Sequence, residues 1–243
     1  MSKQILKGKV ALVTGSAKRT GRAIALALAD AGADVVVHYN TSSKEATEVV
    51  RLIRKKGRKS VALRADLRSP QEVAALFSGI EKEFGGVDVL VNNVGTYMKK
   101  HVADITADEW DSLLDGTLNA TYYCCCAALP YMRRRKWGRI INMADASVDQ
   151  IKPFVYSTPY KIGKMGIVVL TKTLAVSEGR YGVTVNAVSP GVLFNSVVKP
   201  GKDIPLGRMA KYEDIINAIM FLIDPASEYI TGVNLKVSGG FDV

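Results

Sequence analysis

Seven short apolar runs, rich in β-branched residues, recur along the chain at Val10 to Val13, Val35 to Val37, Ser60 to Leu63, Val87 to Val91, Ile140 to Met143, Val183 to Val188 and Val233 to Val237. Stretches of helical period separate nearly all of them, the clearest being Arg22 to Ala31, Lys44 to Lys55, Pro70 to Phe84, Asp108 to Met132, Gly163 to Glu178 and Glu213 to Ile223. Short continuous apolar runs are what strands buried on both faces look like. Strands that alternate with helices join through right-handed crossovers into a parallel sheet. The pattern predicts an α/β fold, a doubly wound parallel sheet of about seven strands with helices on both faces. No repeat, low-complexity tract or linker divides the chain, so residues 1–243 are read as one domain. In such sheets ligands bind beyond the carboxyl ends of the strands, and function is sought there.

Composition narrows the function classes. At 243 residues with 48% hydrophobic and 23% charged side chains, the chain can bury a substantial core, which excludes disordered, collagen-like and disulfide-scaffold proteins. The net charge of +10 raises nucleic acid or a membrane surface as partners. The basic residues are scattered, however, and the one dense run, Arg133 to Lys136, reads as a solvated helix end where cations suit the dipole. No aromatic-interleaved basic stripe accompanies it, so no nucleic-acid partner is expected. Cys124, Cys125 and Cys126 point about 100° apart on a helix and have no histidine beside them, so they read as buried thiols, and no metal site is expected. No apolar run reaches transmembrane length and MSKQILKGKV has no signal-peptide pattern, so a cytoplasmic protein without a membrane partner is expected.

After the first strand, Thr14-Gly15-Ser16-Ala17-Lys18-Arg19-Thr20-Gly21 leads into a helix. A strand, a glycine-bearing turn and a helix N-terminus make an anion site, because unpaired N–H groups and the helix dipole both favour a diphosphate. The turn, with Gly15, Ser16, Lys18, Arg19 and Gly21, resembles the nucleotide-binding motif of the short-chain dehydrogenase/reductase family, whose fold is Rossmann-like. That family's middle glycine is Arg19 here, which resembles the pteridine and dihydromonapterin reductase branch. The branch resemblance implies that Arg19 lies near the cofactor diphosphate and the pterin. An NAD enzyme places an acid after the second strand to hold the ribose hydroxyls. Val37-His38-Tyr39-Asn40-Thr41-Ser42-Ser43 has none, so His38, Asn40, Thr41 and Ser42, with Lys18 and Arg19, are read as the surroundings of a 2′-phosphate, and the cofactor expected is NADP(H). By resemblance Asp66 contacts the adenine, its alternative being a turn or N-cap aspartate; Asn93 and Gly95 line the cofactor cleft, and Pro190 and Gly191 sit beside the nicotinamide.

Tyr160 and Lys164 form Tyr-x-x-x-Lys, which puts phenol and ammonium on one helix face one turn apart. A cation there favours the phenolate and suits the phenol to donate a proton to a reduced carbonyl or imine. Tyr156 and Lys161 lie close by without correctly spaced partners. The strand Arg139 to Met143 resembles the one delivering the family's catalytic serine, and the strand anchors Asp145 at that position, as in the pteridine reductases. Asp145 stands two positions further from Tyr160 than the family serine stands from its tyrosine, whereas Ser147 falls at the family spacing; both alignments remain open. An ionised Asp145 only accepts hydrogen bonds, so it would repel a developing alkoxide, hold a pterin's donors, and raise the phenol pKa against Lys164. Tyr97 falls where the branch places a ring against the pterin, although any exposed βα-loop tyrosine would look the same. The family's proton-relay asparagine is Thr117 here, and the lid from Val192 to Asp203 is short.

These readings give an NADPH-dependent reductase of a C=N or C=O bond, with Asp145, Tyr160 and Lys164 catalytic, Tyr160 and Lys164 also cofactor-binding with Lys164 on the nicotinamide ribose, and Arg19, Tyr97 and Asp145 holding a small pterin-like substrate. The alternatives are a 3-oxoacyl-(acyl-carrier-protein) or general carbonyl reductase, and a dinucleotide-binding protein weakened in catalysis. Resemblance also implies a homotetramer pairing through the helices Asp108 to Met132 and Gly163 to Glu178, compatible with the apolar Cys124 to Leu129 segment.

Overall fold

In a computed structural model that describes residues 4–196 and 204–242, the strands β1 (Val10–Val13), β2 (Asp34–Tyr39), β3 (Ser60–Arg64), β4 (Val89–Asn92), β5 (Gly138–Met143), β6 (Val183–Pro190) and β7 (Asn234–Val237) form a single seven-stranded sheet in the order β3-β2-β1-β4-β5-β6-β7. Every pairing is parallel. Chain direction reverses its drift across the sheet between β1 and β4, which opens the crevice where a dinucleotide fits.

The helices are α1 (Arg19–Asp30), α2 (Ser43–Lys55), α3 (Pro70–Phe84), α4 (Ala107–Leu114), α5 (Ala120–Arg135), α6 (Thr158–Glu178) and α7 (Tyr212–Ile223). Side chains alternate across the strands, so Val13, Val35 and Val37 pack with Leu28, Val49 and Ile219 on one face, while Leu12 and Val36 pack with Leu76, Leu129 and Met132 on the other. That alternation puts α1, α2 and α7 on one side of the sheet and α3 and α5 on the other. No helix of the described residues is long and apolar enough to cross a membrane.

Three sequence expectations change. The helix expected over 108–132 is α4 and α5 joined by a π-helical turn at Asp115–Asn119, a distortion frequent at functional sites. The turn presents Thr117 and Leu118 to Gly163 and Gly166 of α6; a Cβ on Gly163 would lie 3.1 Å from Thr117 Cγ2, so the glycine sets the depth at which α6 packs. Of the three cysteines, Cys124 and Cys125 are buried but Cys126 is exposed, because three successive helical residues span too wide an arc to share one buried face. Cys124, Cys125, Ala128 and Leu129 pack into this chain's own core, and Cys126 and Ala127 are the part of that segment left at the surface. The basic run is not wholly solvated either: Arg133 Nε and Nη2 donate to the buried Glu178 at 2.6 and 2.7 Å and tie α5 to the far end of α6.

A buried polar chain fixes α6 against the middle of the sheet. Asn92 Nδ2 donates to Asn142 Oδ1 (2.9 Å) across the β4–β5 register, Asn142 Nδ2 donates to Thr171 Oγ1 (3.0 Å), and the Thr171 hydroxyl donates to the Ile167 carbonyl (2.8 Å). These bonds satisfy Asn142 on both its oxygen and its nitrogen, while Asn92 Oδ1 stays buried without a partner among the described residues. The chain anchors the middle of α6 at Thr171, and Gly163 sets the packing of its second turn. Gly163→Val drives two methyls into Thr117 and is expected to cost about 1–3 kcal/mol in chemical unfolding, a loss that Gly163→Ser does not reproduce in full.

Candidate active site

The β1–α1 turn is held tightly from behind. Gly15 has φ +62°, and a Cβ on Gly21 would lie 2.3 Å from the Gly15 carbonyl oxygen, so both positions require glycine. The Gly15 N–H donates to His38 Nδ1 (2.9 Å), which leaves the proton on Nε2 to donate to the Ala65 carbonyl (3.0 Å). Ser16 is fully buried and accepts at Oγ from the His38 N–H (3.1 Å). Asn93 Nδ2 donates to the Thr14 carbonyl (3.0 Å), while the N–H groups of Asn93 and Val94 converge on Thr14 Oγ1. His38, Ser16 and Asn93, expected to touch cofactor, therefore spend their side chains on shaping the turn. For His38 the expected cofactor contact is corrected, because its ring is buried with both nitrogens engaged.

No side chain caps the first turn of α1 and no acid lies in it, so its N–H donors and dipole fit an anion. Arg19 adopts φ +50°, the left-handed conformation that a glycine would take without cost, and its Nη2 donates to the Asn195 carbonyl (2.8 Å) across the cleft. Lys18 pairs with Glu45 (2.8 Å), so its charge is already answered. Beyond β2, Asn40 and Thr41 are exposed and Ser42 half-buried. Arg64, at the end of β3 and paired in register with Tyr39, reaches Asn40 Oδ1 (3.5 Å) and Glu72 (3.3 Å). This cation was missed in the sequence, although its place at the end of the neighbouring strand could have marked it. Asp66 is a turn residue whose carboxylate binds Arg68, which holds its pKa down to about 2.

The chemistry-bearing groups gather at the end of β5. Asp145 begins a short 3-10 turn at Ala146–Val148, and its Oδ1 accepts from the Ser147 N–H (2.9 Å), the Ser147 hydroxyl (2.5 Å) and Lys161 Nζ (2.9 Å). Its Oδ2 lies 3.4 Å from the Tyr160 hydroxyl, a longer and weaker contact. Lys161 Nζ also donates to Ser147 Oγ (2.5 Å). Both alignments of the serine position thus meet in one cluster. Lys161 belongs to it as well, correcting the expectation that it stands apart: it lies off the Tyr160–Lys164 face but reaches back to the strand end.

Burial would raise the Asp145 pKa, but the Lys161 ammonium and the Ser147 donors outweigh it and leave the carboxyl below its ordinary value. Tyr160 is pushed up, first by burial and then by the Asp145 charge. Lys164, one turn on, is buried and lowered to about 8, chiefly by desolvation; its Nζ donates to the Met143 carbonyl (2.5 Å) and lies 3.1 Å from where a Gly95 Cβ would be. Tyr97 packs edge-on against Tyr160 with ring centroids 5.1 Å apart, and is half exposed. Thr117 is fully buried and its Oγ1 accepts from the Thr96 N–H (3.3 Å).

Pro190 ends β6, and Gly191 passes so close to β7 that a Cβ would lie 2.7 Å from Ser238 Cα. Of the short lid, Val192 to Ser196 folds onto the start of α7, with Asn195 Nδ2 donating to the Tyr212 hydroxyl (2.6 Å); residues 197–203 lie outside the described residues. No group of side chains fit to hold a metal ion occurs among the described residues.

A family model described as enoyl-(acyl carrier protein) reductase matches residues 15–242. A 3-oxoacyl-(acyl-carrier-protein) reductase of Staphylococcus aureus is 36% identical over 241 residues, covering 96% of this chain and 97% of its own length. A hydroxynaphthalene reductase-like protein of Metarhizium robertsii is 34% identical over 257 residues, covering 97% and 95%. The crystal structure of a short-chain type dehydrogenase/reductase from Mycobacterium marinum superposes with a TM-score of 0.89 at 31% identity, covering 97% and 96%. None of these names is that of a pteridine reductase, so the branch resemblance carried by Arg19 and Asp145 gains no support, whereas the wider resemblance does.

The His38 bridge predicts a pH dependence. Burial lowers the ring's pKa against the raising effects of the Ala65 carbonyl and the Asp66 charge. The unfolded chain therefore binds the proton first, and the bridge contributes its full stability above the ordinary histidine value near 6.5 and loses it as pH falls through the lower folded value. His38→Leu is expected to flatten this acid limb in thermal midpoints and to weaken NAD(P)H binding about ten-fold, because the Gly15 N–H loses its acceptor.

Proposed function

Because the chain belongs to the short-chain dehydrogenase/reductase family of NAD(P)-dependent oxidoreductases, we propose that it uses NADPH to reduce a carbonyl group, with 3-oxoacyl thioesters as the substrate class. The observation that carries this reading is the Lys161 ammonium on Asp145. An unanswered carboxylate beside Tyr160 would repel a carbonyl oxygen gaining negative charge. Paired with Lys161 and donated to by Ser147, it contributes little net charge. That pairing removes the premise on which a pterin was favoured, and the acyl-carrier-protein reductase among the relatives supports the carbonyl reading.

The residues present fit the cofactor. The tight glycine turn and uncapped α1 N-terminus suit a diphosphate, Arg19 adds a guanidinium beside it, and the acid-free end of β2 suits a 2′-phosphate better than bare ribose hydroxyls, with Arg64 and Lys18 close by but each already paired with a glutamate. Bound NADPH supplies a hydride to the carbonyl carbon. Tyr160 donates its phenolic proton to the carbonyl oxygen, completing the alcohol, and Lys164 and Lys161, with ammonium groups 5.8 and 5.6 Å from the ring centroid, stabilise the phenolate left behind. The Ser147 hydroxyl, which accepts from Lys161 and donates its one proton to Asp145, orients the substrate oxygen once that proton turns from the carboxylate to the carbonyl, and the exposed Tyr97 ring forms one wall. Pairing of copies through α5 and α6 into a tetramer belongs to the same reading, supported by the exposed Tyr122, Val169 and Val176.

Oxidation of NADPH, with NADH as comparison, is expected with acetoacetyl thioesters and to exceed that with dihydropterin; Tyr160→Phe should lower kcat by about a hundred-fold or more. Turnover confined to dihydropterin would overturn the substrate class. NADPH binding without turnover on any substrate would favour a protein weakened in catalysis, with Thr117 in the relay position as the suspect. Arg19→Gly should relieve about 1 kcal/mol of backbone strain, raising the thermal midpoint of the cofactor-free protein, while weakening NADPH binding about ten-fold through the lost charge-assisted bond.

A further inference from the structure

Lys161 follows Tyr160 directly and has no place in a Tyr-x-x-x-Lys arrangement, yet its side chain is mostly buried in the site. It makes two short bonds there, 2.9 Å to Asp145 Oδ1 and 2.5 Å to Ser147 Oγ. The Asp145 oxygen that receives Lys161 and Ser147 is the one turned away from Tyr160; the other stands 3.4 Å from the phenol. The ion pair with Asp145 is made by Lys161, while the Lys164 ammonium donates to the Met143 carbonyl. The charged and titratable groups facing the phenol are thus Asp145 from the end of β5, Tyr97 from the loop after β4, and Lys161 and Lys164 from α6. Only one of them is an anion, and only Lys161 touches it.

We propose that Lys161 is a positioning residue of the reduction, cancelling the charge of Asp145 so that the carboxylate orients Ser147 and leaves the Tyr160 proton free to pass to the substrate. The inference rests on the reading of Tyr160 as proton donor. Without Lys161 the buried carboxylate has lost its cation, competes for the phenolic proton and repels the substrate oxygen as charge develops on it. Protonating or neutralising Asp145 then relieves the defect. The effect of removing Lys161 therefore depends on the state of Asp145, which a purely structural contact does not.

The test uses the full-length protein with NADPH and an acetoacetyl thioester, comparing the parent with Lys161→Met, Lys161→Arg, Asp145→Asn and the double variant Asp145→Asn/Lys161→Met across about pH 5 to 9. Lys161→Met should lose roughly ten-fold or more in kcat near neutrality and recover as pH falls and Asp145 takes up its proton. Lys161→Arg should retain most of the activity. The double variant should be several-fold faster than Lys161→Met alone and lack the acid recovery. Equal loss in Lys161→Met and the double variant, with the parent's pH profile unchanged in both, overturns the proposal. Tyr160→Phe, measured alongside, separates the two claims: if it keeps turnover, or if the parent has none, the proton-donor reading fails. In that event the Asp145 carboxyl resonance in the NADPH-bound protein still decides the pairing. Its midpoint should rise by roughly one unit or more in Lys161→Met, and an unmoved midpoint overturns the charge compensation.

Discussion

Because β1, β4 and β5 are buried on both faces, side-chain packing fixes their register, and every segment leaving their carboxyl ends starts from a set position. The Gly15 turn leaves β1, Asn93 and Tyr97 follow β4, and Asp145 follows β5. Each is then tied to its neighbour by bonds that cross between strands: Gly15 to His38, Asn93 to Thr14, Asn92 to Asn142. The site is the rim of the sheet, and its precision is inherited from the core beneath it.

Much of this was legible in the sequence. Continuous apolar runs separated by helical periods define a doubly wound sheet because strands buried on both faces have few other compositions, and the observed strands fall on the expected runs within a few residues. Tyr160 and Lys164 were legible because a fixed helical spacing encodes their shared face. Lys161 was not, since adjacency on a helix implies divergence, and its convergence on Asp145 arises from β5 and the 3-10 turn approaching α6 from the side. His38 offered only its position at the end of β2. That its ring turns inward to accept from Gly15 depends on the neighbouring strands. Cys126 was misread by treating three residues as one group, and the π-helical turn had no periodic signature in a stretch whose apolar pattern continues through it.

Asp145 illustrates how little a residue type says without its partners. Alone, a carboxylate beside the phenol argues for a substrate rich in donors. With a lysine and a serine on one oxygen, it becomes part of a nearly neutral cluster, the ground of the carbonyl reading proposed above, and the relatives with acyl-carrier-protein reductase names lie in the same direction. What a substrate meets is the charge balanced over the whole cluster, not that of the carboxylate alone.

The contact between Thr117 and Gly163 makes two positions on different helices share one small volume. Substitutions there are not independent. A bulkier residue at 117 is accommodated only while 163 stays glycine, and a branched side chain at 163 only if 117 shrinks. Any lineage or design campaign moving through both sites is therefore constrained in the order of its steps, so that this small gap between α6 and the π-helical turn limits which side chains at 117 the scaffold can reach by single changes.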